Sequence, residues 1–193
     1  MIARFDELVC FISSHMKWLI IYSAALVFGL VIGVISALKP IDSLAAFASH
    51  NPSLFELIEH SAFLQYFFSS VFLFLVILSL SVLVGKLPFS PILFSATAVI
   101  LGYFQGGTVI LLVRSYGLIA LPLTICYSAT TILLDLILFA QFAMLSAISA
   151  EQRKFGCSVP LMKIVMNSVY PLIFGFIVLT VRYLLVILFS FFL

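Results

Sequence analysis

The stretch Trp18–Leu38 reads WLIIYSAALVFGLVIGVISAL and contains no charged residue. A helix needs roughly 20 apolar residues to cross the hydrocarbon core of a bilayer, and this stretch supplies them without interruption. It is also longer than the apolar core of a cleavable secretion signal. The stretch therefore predicts an uncleaved first transmembrane helix.

The composition of the whole chain points the same way. Of 193 residues, 65% are hydrophobic and only 8% are charged, and the mean hydropathy is +1.35. A soluble domain usually has about a quarter of its residues charged, so a water-soluble fold is excluded. The chain is predicted to be one integral membrane domain, an all-α bundle with the lipid bilayer as its main partner. A net charge of +2, scattered along the chain, gives no basis for a nucleic-acid partner.

Four more apolar runs follow the first, separated by turns rich in glycine, proline or charge. The predicted transmembrane segments are residues 18–38, 64–85, 92–113, 118–148 and 165–193. The long fourth run carries Pro122, so we expect either a kink there or a start that lies flat on the membrane. Ahead of the first segment, residues 1–17 repeat apolar side chains at helical spacing, which predicts an amphipathic helix in the membrane interface.

The distribution of basic residues orients these five segments, because cytoplasmic loops carry the excess of Lys and Arg. With the N-terminus inside, the outer segments hold only Lys39 and Arg114. The cytoplasmic segments then hold Arg4, Lys17, Lys86, Arg153, Lys154 and Lys163. This asymmetry predicts a cytoplasmic N-terminus and an external C-terminus.

Residues 39–63 form the longest polar connection and are placed outside by this orientation. Asn51-Pro52 has the pattern of a helix N-cap followed by proline at the first helical position, and the alternative start is the capping-box spacing of Ser53 and Glu56. Either pattern predicts a short helix in this outer loop. The polar residues predicted to dock a partner are His50, Glu56, Glu59 and His60. Glu56 and His60 share a helix face, but a zinc site of the two-histidine type needs a second histidine there. We therefore expect a solvated or partner-docking face and no metal site.

Two ionisable residues fall inside predicted spans, where charge is costly and usually paired or functional. Asp135 in the fourth span and Arg182 in the fifth lie at similar distances from the loop that joins these spans. Antiparallel neighbours bring them to similar depth, which predicts an ion pair. The pair has two interpretations: a structural clip, or part of a proton or solute path. The second draws on a polar stripe that precedes Asp135, formed by Thr124, Ser128 and Thr131.

Small residues form a stripe in each of two spans, and both stripes contain pairs of small residues four apart. The first span carries Ala25, Gly29 and Gly33, and the third carries Ser95, Gly102 and Gly106. This spacing lets helix backbones approach closely. It predicts tight packing within one bundle, and the alternative is a homo-oligomer interface. Gly106-Gly107 is also the kind of pair that breaks a helix at a transporter site.

Motifs of catalysis are lacking in the sequence. It contains no Gly-x-Ser-x-Gly, no phosphate-binding loop, and no histidine within a span to activate a serine. Cys10, Cys126 and Cys157 lack metal-ligand spacing. We therefore expect no enzymatic activity and no cofactor.

The layout resembles the stage II sporulation protein M family. The features that carry the resemblance are Phe28-Gly29 and Gly33 in the first span, the small-residue third span from Ser95 to Gly107, and the hairpin Arg114–Gly117. Polar residues Tyr127 and Ser128 follow near the start of the fourth span. Motifs typical of wider family members, such as a Pro-His-Gly-x-x-Glu opening of that span, are missing, so no catalytic residue is carried over.

The resemblance implies a scaffold in the cell membrane of spore-forming bacteria. Such a scaffold anchors peptidoglycan-degrading enzymes during engulfment, here through the 39–63 loop, and needs no catalytic residue of its own. The alternative function is a membrane subunit of a small-solute transporter, either the substrate-capturing component of an importer or an exporter permease, working through Asp135 and Arg182.

Overall fold

The computed structural model describes residues 2–38, 63–85, 87, 89–155 and 161–190. Throughout these ranges the chain is helical or in turns, with no strand, so the predicted all-α class is confirmed. The helices are α1 (Ile2–Ala37), α2 (Phe63–Val84), α3 (Ser90–Tyr116), α4 (Leu121–Phe155) and α5 (Leu161–Ser190), with a 3₁₀ turn at Gly117–Ala120 between α3 and α4.

Each of the five helices contains a segment long and apolar enough to cross a membrane. The segments are His15–Ala37, Phe67–Val84, Ser90–Ser115, Leu121–Ala150 and Ser168–Leu188. They match the predicted spans to within a few residues, and they define a multi-pass membrane protein.

The N-terminal region differs from the prediction. α1 runs without a break through 36 residues from Ile2 to Ala37, about 54 Å at the rise of an α-helix. The structure therefore has no boundary between a helix over residues 1–17 and the first span, because from Ile2 onward both belong to one helix. The apolar run of the span and the helical periodicity ahead of it instead join into one helix that exceeds the thickness of the hydrocarbon core.

The start of the fourth span is set by a glycine. α3 ends at Tyr116, and Gly117 adopts φ 68° while its N–H donates to the carbonyl of Val113. This left-handed conformation favours glycine and ends the helix. Pro122 then falls in the first turn of α4, where its missing N–H costs no helical hydrogen bond. The span thus begins at Leu121 rather than at residue 118, and neither a Pro122 kink nor a flat-lying start is needed.

The predicted outer loop lies outside the described residues, apart from Phe63, which opens α2. The proposed short helix in that loop belongs to the same undescribed range. So do the docking candidates His50, Glu56, Glu59 and His60.

α4 is the central helix and contacts all four others. α1 packs on α3 and α4, while α2 and α5 pack on each other and on α4. The two ends of the bundle are called the Gly85 end and the Gly117 end. The Gly85 end holds the α2–α3 turn, and there Ser149 Oγ of α4 donates to the Leu87 carbonyl over 3.1 Å. The Gly117 end holds the C-termini of α1 and α3.

Towards the Gly85 end, the core is built from aromatic rings. Tyr22 of α1 is fully buried and packs edge-on against Phe94 of α3 and Phe142 of α4. Phe94 and Phe142 stack in parallel with 4.4 Å between ring centroids. Tyr22 also forms a buried hydrogen bond with Ser146 of α4. A tyrosine tolerates this burial because its hydroxyl has a partner.

α1 and α3 meet backbone to backbone along their glycines. A Cβ at Gly29 would overlap the carbonyl oxygen of Val99, and one at Gly33 would overlap that of Tyr103. The relationship is reciprocal, because Gly102 lies against the Leu26 carbonyl and Gly106 against the Leu30 carbonyl. We call these four glycines the glycine clamp. Their matched order along both chains means that α1 and α3 run parallel.

The clamp explains the spacing of small residues seen in the sequence. Both glycine pairs face each other inside one chain, so neither is left open for a homo-oligomer at this site. α3 also stays helical through Gly106-Gly107, and the break considered for a transporter site is not present. Ala98, which is fully buried, lies one turn before Gly102 and extends the small face of α3 towards the Gly85 end.

A single methyl group should test the clamp. We expect Gly29→Ala to destabilise the fold by about 1–3 kcal/mol, the usual cost of overpacking a tight core, although alanine is the better helix former. Reversible unfolding in detergent micelles measures the change. The matched control is Ala24→Val, which adds bulk at an exposed position of the same helix. A Gly29→Ala protein at least as stable as the native chain would contradict the clamp.

Candidate functional site: an intramembrane polar cluster

The most conspicuous side chain in the bundle is Asp135, which is only 3% exposed on the central helix. It lies between buried Leu134 and Leu138. A carboxylate in such surroundings needs hydrogen bonds or an opposite charge. Both come from neighbouring helices. We call the group formed by Gln105, Tyr127, Asp135 and Arg182 the intramembrane cluster.

The hydrogen bond comes from α3. Gln105 Nε2 donates to Asp135 Oδ2 over 2.5 Å. Gln105 is one residue before Gly106 of the clamp, so the close approach of α1 fixes the helix that presents the amide. Gln105 was not among the residues predicted from the sequence. The available signal was an amide in the middle of an apolar run, which in lipid is usually paired across helices.

The opposite charge comes from α5. Arg182 interacts electrostatically with the Asp135 carboxylate, and its guanidinium carbon lies 4.2 Å from the ring centroid of Tyr127 on α4. A guanidinium over an aromatic face is a favourable cation–π contact. This interaction involves the two residues selected from depth, and the ion pair itself stays a prediction. The helices also add an aromatic partner that depth alone does not reveal.

In the predicted polar stripe on α4, hydroxyl groups donate hydrogen bonds to backbone carbonyls of the same helix. Ser128 Oγ donates to the Thr124 carbonyl over 2.7 Å, and Thr131 Oγ1 donates to the Tyr127 carbonyl over 2.6 Å. Thr130 adds a bond of the same kind to Cys126. Serine and threonine commonly satisfy their hydroxyls this way within a helix. Only the acceptor lone pairs of these oxygens then remain for another group.

A second polar contact joins α4 to α5 nearer the Gly85 end. Gln141 is 1% exposed, and its Nε2 donates to Ser168 Oγ over 2.5 Å. Its Oε1 is buried and has no hydrogen-bond partner among the described residues. This contact was also missed by the sequence analysis, which looked for charges and not for amides within the spans.

A third contact ties the Gly117 end together. Arg114 near the end of α3 donates from Nη1 to the Ala37 carbonyl over 2.8 Å. Ala37 is the last residue of α1, so its carbonyl has no partner within the helix. The bond caps α1 and holds the C-termini of α1 and α3 side by side, where the chain leaves for residues 39–62.

Groups suited to metal chemistry were sought among the same residues. The described part of the chain contains no cluster of three or more His, Cys, Asp or Glu side chains that could hold a metal ion. Cys126 on α4 is a half-buried free thiol.

Comparisons with protein-family models, with curated proteins and with solved structures gave no match for this chain. The resemblance to the stage II sporulation protein M family thus stays a prediction from the sequence. Functional argument for this chain rests on the geometry described above.

A double-mutant cycle tests whether Asp135 and Arg182 stabilise each other. We expect Asp135→Asn and Arg182→Gln each to destabilise the fold, because each leaves the other charge in an apolar interior. The double variant should lose less than the sum, with a coupling of about 0.5–3 kcal/mol. Reversible unfolding of the four proteins in one detergent measures it. Additive losses would mean that the two charges act independently.

Removing both partners of the Gln141–Ser168 hydrogen bond should destabilise the fold less than removing the acceptor alone. Ser168→Ala leaves a buried amide without its acceptor, which costs about 1–3 kcal/mol. Replacing both residues, as Gln141→Leu with Ser168→Ala, removes donor and acceptor together and should return stability close to that of the native chain. The same unfolding assay distinguishes these results. A double variant less stable than Ser168→Ala alone would contradict the expectation.

Proposed function

We propose that this protein is a non-enzymatic scaffold of the bacterial cell membrane that anchors peptidoglycan hydrolases during sporulation engulfment. In this proposal the N-terminus is cytoplasmic, and the Gly117 end of the bundle faces the outside. Residues 39–63 dock the hydrolases. The proposal rests on the layout resemblance, on the distribution of Lys and Arg, and on one structural observation.

That observation is the pair of contacts that hold α1 and α3 together towards their C-termini. Arg114 caps α1 through the Ala37 carbonyl, and the glycine clamp holds the same two helices backbone to backbone. A docking segment that leaves directly after Ala37 therefore starts from a fixed platform. A scaffold needs such a platform, because a partner bound to a loosely attached loop would not be positioned relative to the membrane.

The other interhelical contacts are compatible with a rigid anchor. Gln105 is bonded to Asp135, Gln141 to Ser168, and Tyr22 to Ser146. Each bond links α4 to a different helix, respectively α3, α5 and α1. Polar groups paired across helices stabilise a membrane bundle.

The direct test is to purify the tagged protein from its native membranes in mild detergent and assay the preparation for peptidoglycan-degrading activity. A variant with residues 39–62 replaced by a Gly/Ser linker of equal length should lose that activity. The matched control replaces residues 156–160, between α4 and α5 in the sequence, in the same way and should retain it. Hydrolase activity that survives loss of residues 39–62, or is never present, would overturn the proposal.

The second candidate function is a transporter subunit, and the observation that favours it is the burial of Asp135 at 3% exposure within a membrane span. An intramembrane carboxylate commonly belongs to a proton or ion pathway. Proteoliposomes containing a pH-sensitive dye would measure proton flux under an imposed membrane potential. Flux that is abolished by Asp135→Asn in a folded protein supports a transporter. Absence of flux in the native protein removes this candidate.

A further inference from the structure

The bundle divides into two groups of helices that are joined differently. In the first, α1, α3 and α4 are held by the glycine clamp and by the aromatic contacts of Tyr22 with Phe94 and Phe142. These contacts involve backbone and large rings. Small displacements are therefore costly, since close-packed interiors resist deformation.

In the second group, α2 and α5 are fitted to each other. The ring of Phe74 on α2 fills the space left by Gly175 on α5, and a Cβ at Gly175 would overlap it. Phe67 of α2 packs against Phe176 and Tyr183 of α5, with 5.0 Å between the ring centroids of Phe67 and Tyr183. We call these two helices the α2–α5 pair. α1 has no comparable contact with either member.

Among the described residues, polar contacts connect the α2–α5 pair to the first group at two levels of the bundle. Near the Gly85 end, Gln141 bonds Ser168. Towards the Gly117 end, the intramembrane cluster connects α3, α4 and α5 through Gln105, Asp135 and Arg182. The first contact is between neutral groups, whereas the second depends on opposite charges. Only the second changes when a proton is added.

Few ionisable groups surround Asp135. From α5 the group is Arg182, from α3 it is the neutral amide of Gln105, and on α4 itself Tyr127 lies beneath the guanidinium. The stretch of α1 from Ser23 to Ala37 contains no acidic, basic or histidine residue, and neither does α2 from Phe63 to Val84. The charge balance at this depth is therefore set by Asp135 and Arg182.

We propose that the intramembrane cluster is a proton-operated latch. One proton adds to the Asp135 carboxylate and forms an O–H bond, no bond is broken, and the net charge of the cluster rises by one. The attraction for Arg182 is lost with the negative charge. The Gly117 end of the α2–α5 pair is then released from α3 and α4.

Release follows from where Arg182 lies. A guanidinium that has lost its counter-charge is unfavourable in the apolar interior. Arg182 is in the last third of α5, and a long arginine side chain can reach from there towards the membrane surface. That movement withdraws it from the cluster and carries the end of α5 with it. Phe74, packed into α5 at Gly175, transmits the shift to α2.

The test uses full-length protein in nanodiscs and two readouts. Infrared spectroscopy follows the carbonyl band of a protonated carboxyl group from about pH 8 to about pH 5. Spin labels at the exposed positions Ser115 of α3 and Leu188 of α5, in a background where Cys10, Cys126 and Cys157 are serine, report the separation of the two helices. We expect the band to grow as the pH falls, while the label distance lengthens by about 2 Å or more, the scale of known helix shifts.

Three variants assign the response. Asp135→Asn should lack the band and keep the long distance at every pH, because its side chain is always neutral. Asp135→Glu retains a carboxyl group and should shift the position of the band. Glu151→Gln, at the Gly85 end of α4, should respond like the native chain.

The native protein alone is enough to overturn the proposal if Asp135→Asn does not fold. A protonated-carboxyl band that does not change over this range would mean that no proton is taken up. A band that changes without any change in label distance would mean that protonation does not release α5. Either result contradicts the latch.

Discussion

The close contact between α1 and α3 is the constraint on which the rest of the bundle depends. Gly29 and Gly33 lie against carbonyl groups of α3, while Gly102 and Gly106 lie against carbonyl groups of α1. In lipid, helices gain little from hiding apolar surface from one another, so close packing supplies much of the association energy. Because α1 and α3 are parallel, α2, which connects them in the sequence, must run in the opposite direction. It packs against α5 and α4 instead. That arrangement leaves α4 to fill the centre.

The position of α4 explains why the polar residues concentrate there. A helix surrounded by four others is the one place in a membrane protein where an acid can be paired from several sides. Gln105 comes from α3, whose position the clamp fixes, and Arg182 comes from α5, which packs against α4. The same central position lets Gln141 reach α5 and Ser146 reach α1. The close contact between α1 and α3 thus positions the two helices that bond α4 through Tyr22 and Gln105.

Much of this architecture was predictable from the sequence, because the hydrophobic length of each span and the four-residue spacing of glycines act locally. The depth argument also selected Asp135 and Arg182 for a physical reason, since charge in lipid requires compensation. What could not be predicted depends on which helix faces meet. The contacts of three residues depend on how α3, α4 and α5 are aligned: Gln105, Tyr127 and Ser168. The same holds for the small face of α3, since the sequence alone does not show whether Ser95 or Ala98 belongs to it. The boundary predicted after residue 17 is not seen, because amphipathic spacing does not reveal whether a helix continues into the span that follows it.

The central claim is that α1 and α3 lie parallel and in direct contact, and a pair of distances tests it. Spin labels at Met16 of α1 and Ile92 of α3, both exposed near the Gly85 end, should be close together. Labels at Met16 and Ser115 should be further apart by on the order of 30 Å, because Ser115 lies near the other end of α3. Introducing Gly29→Leu with Gly102→Leu should lengthen the Met16–Ile92 distance. A Met16–Ile92 distance as long as Met16–Ser115, or one that ignores the leucines, would contradict the account.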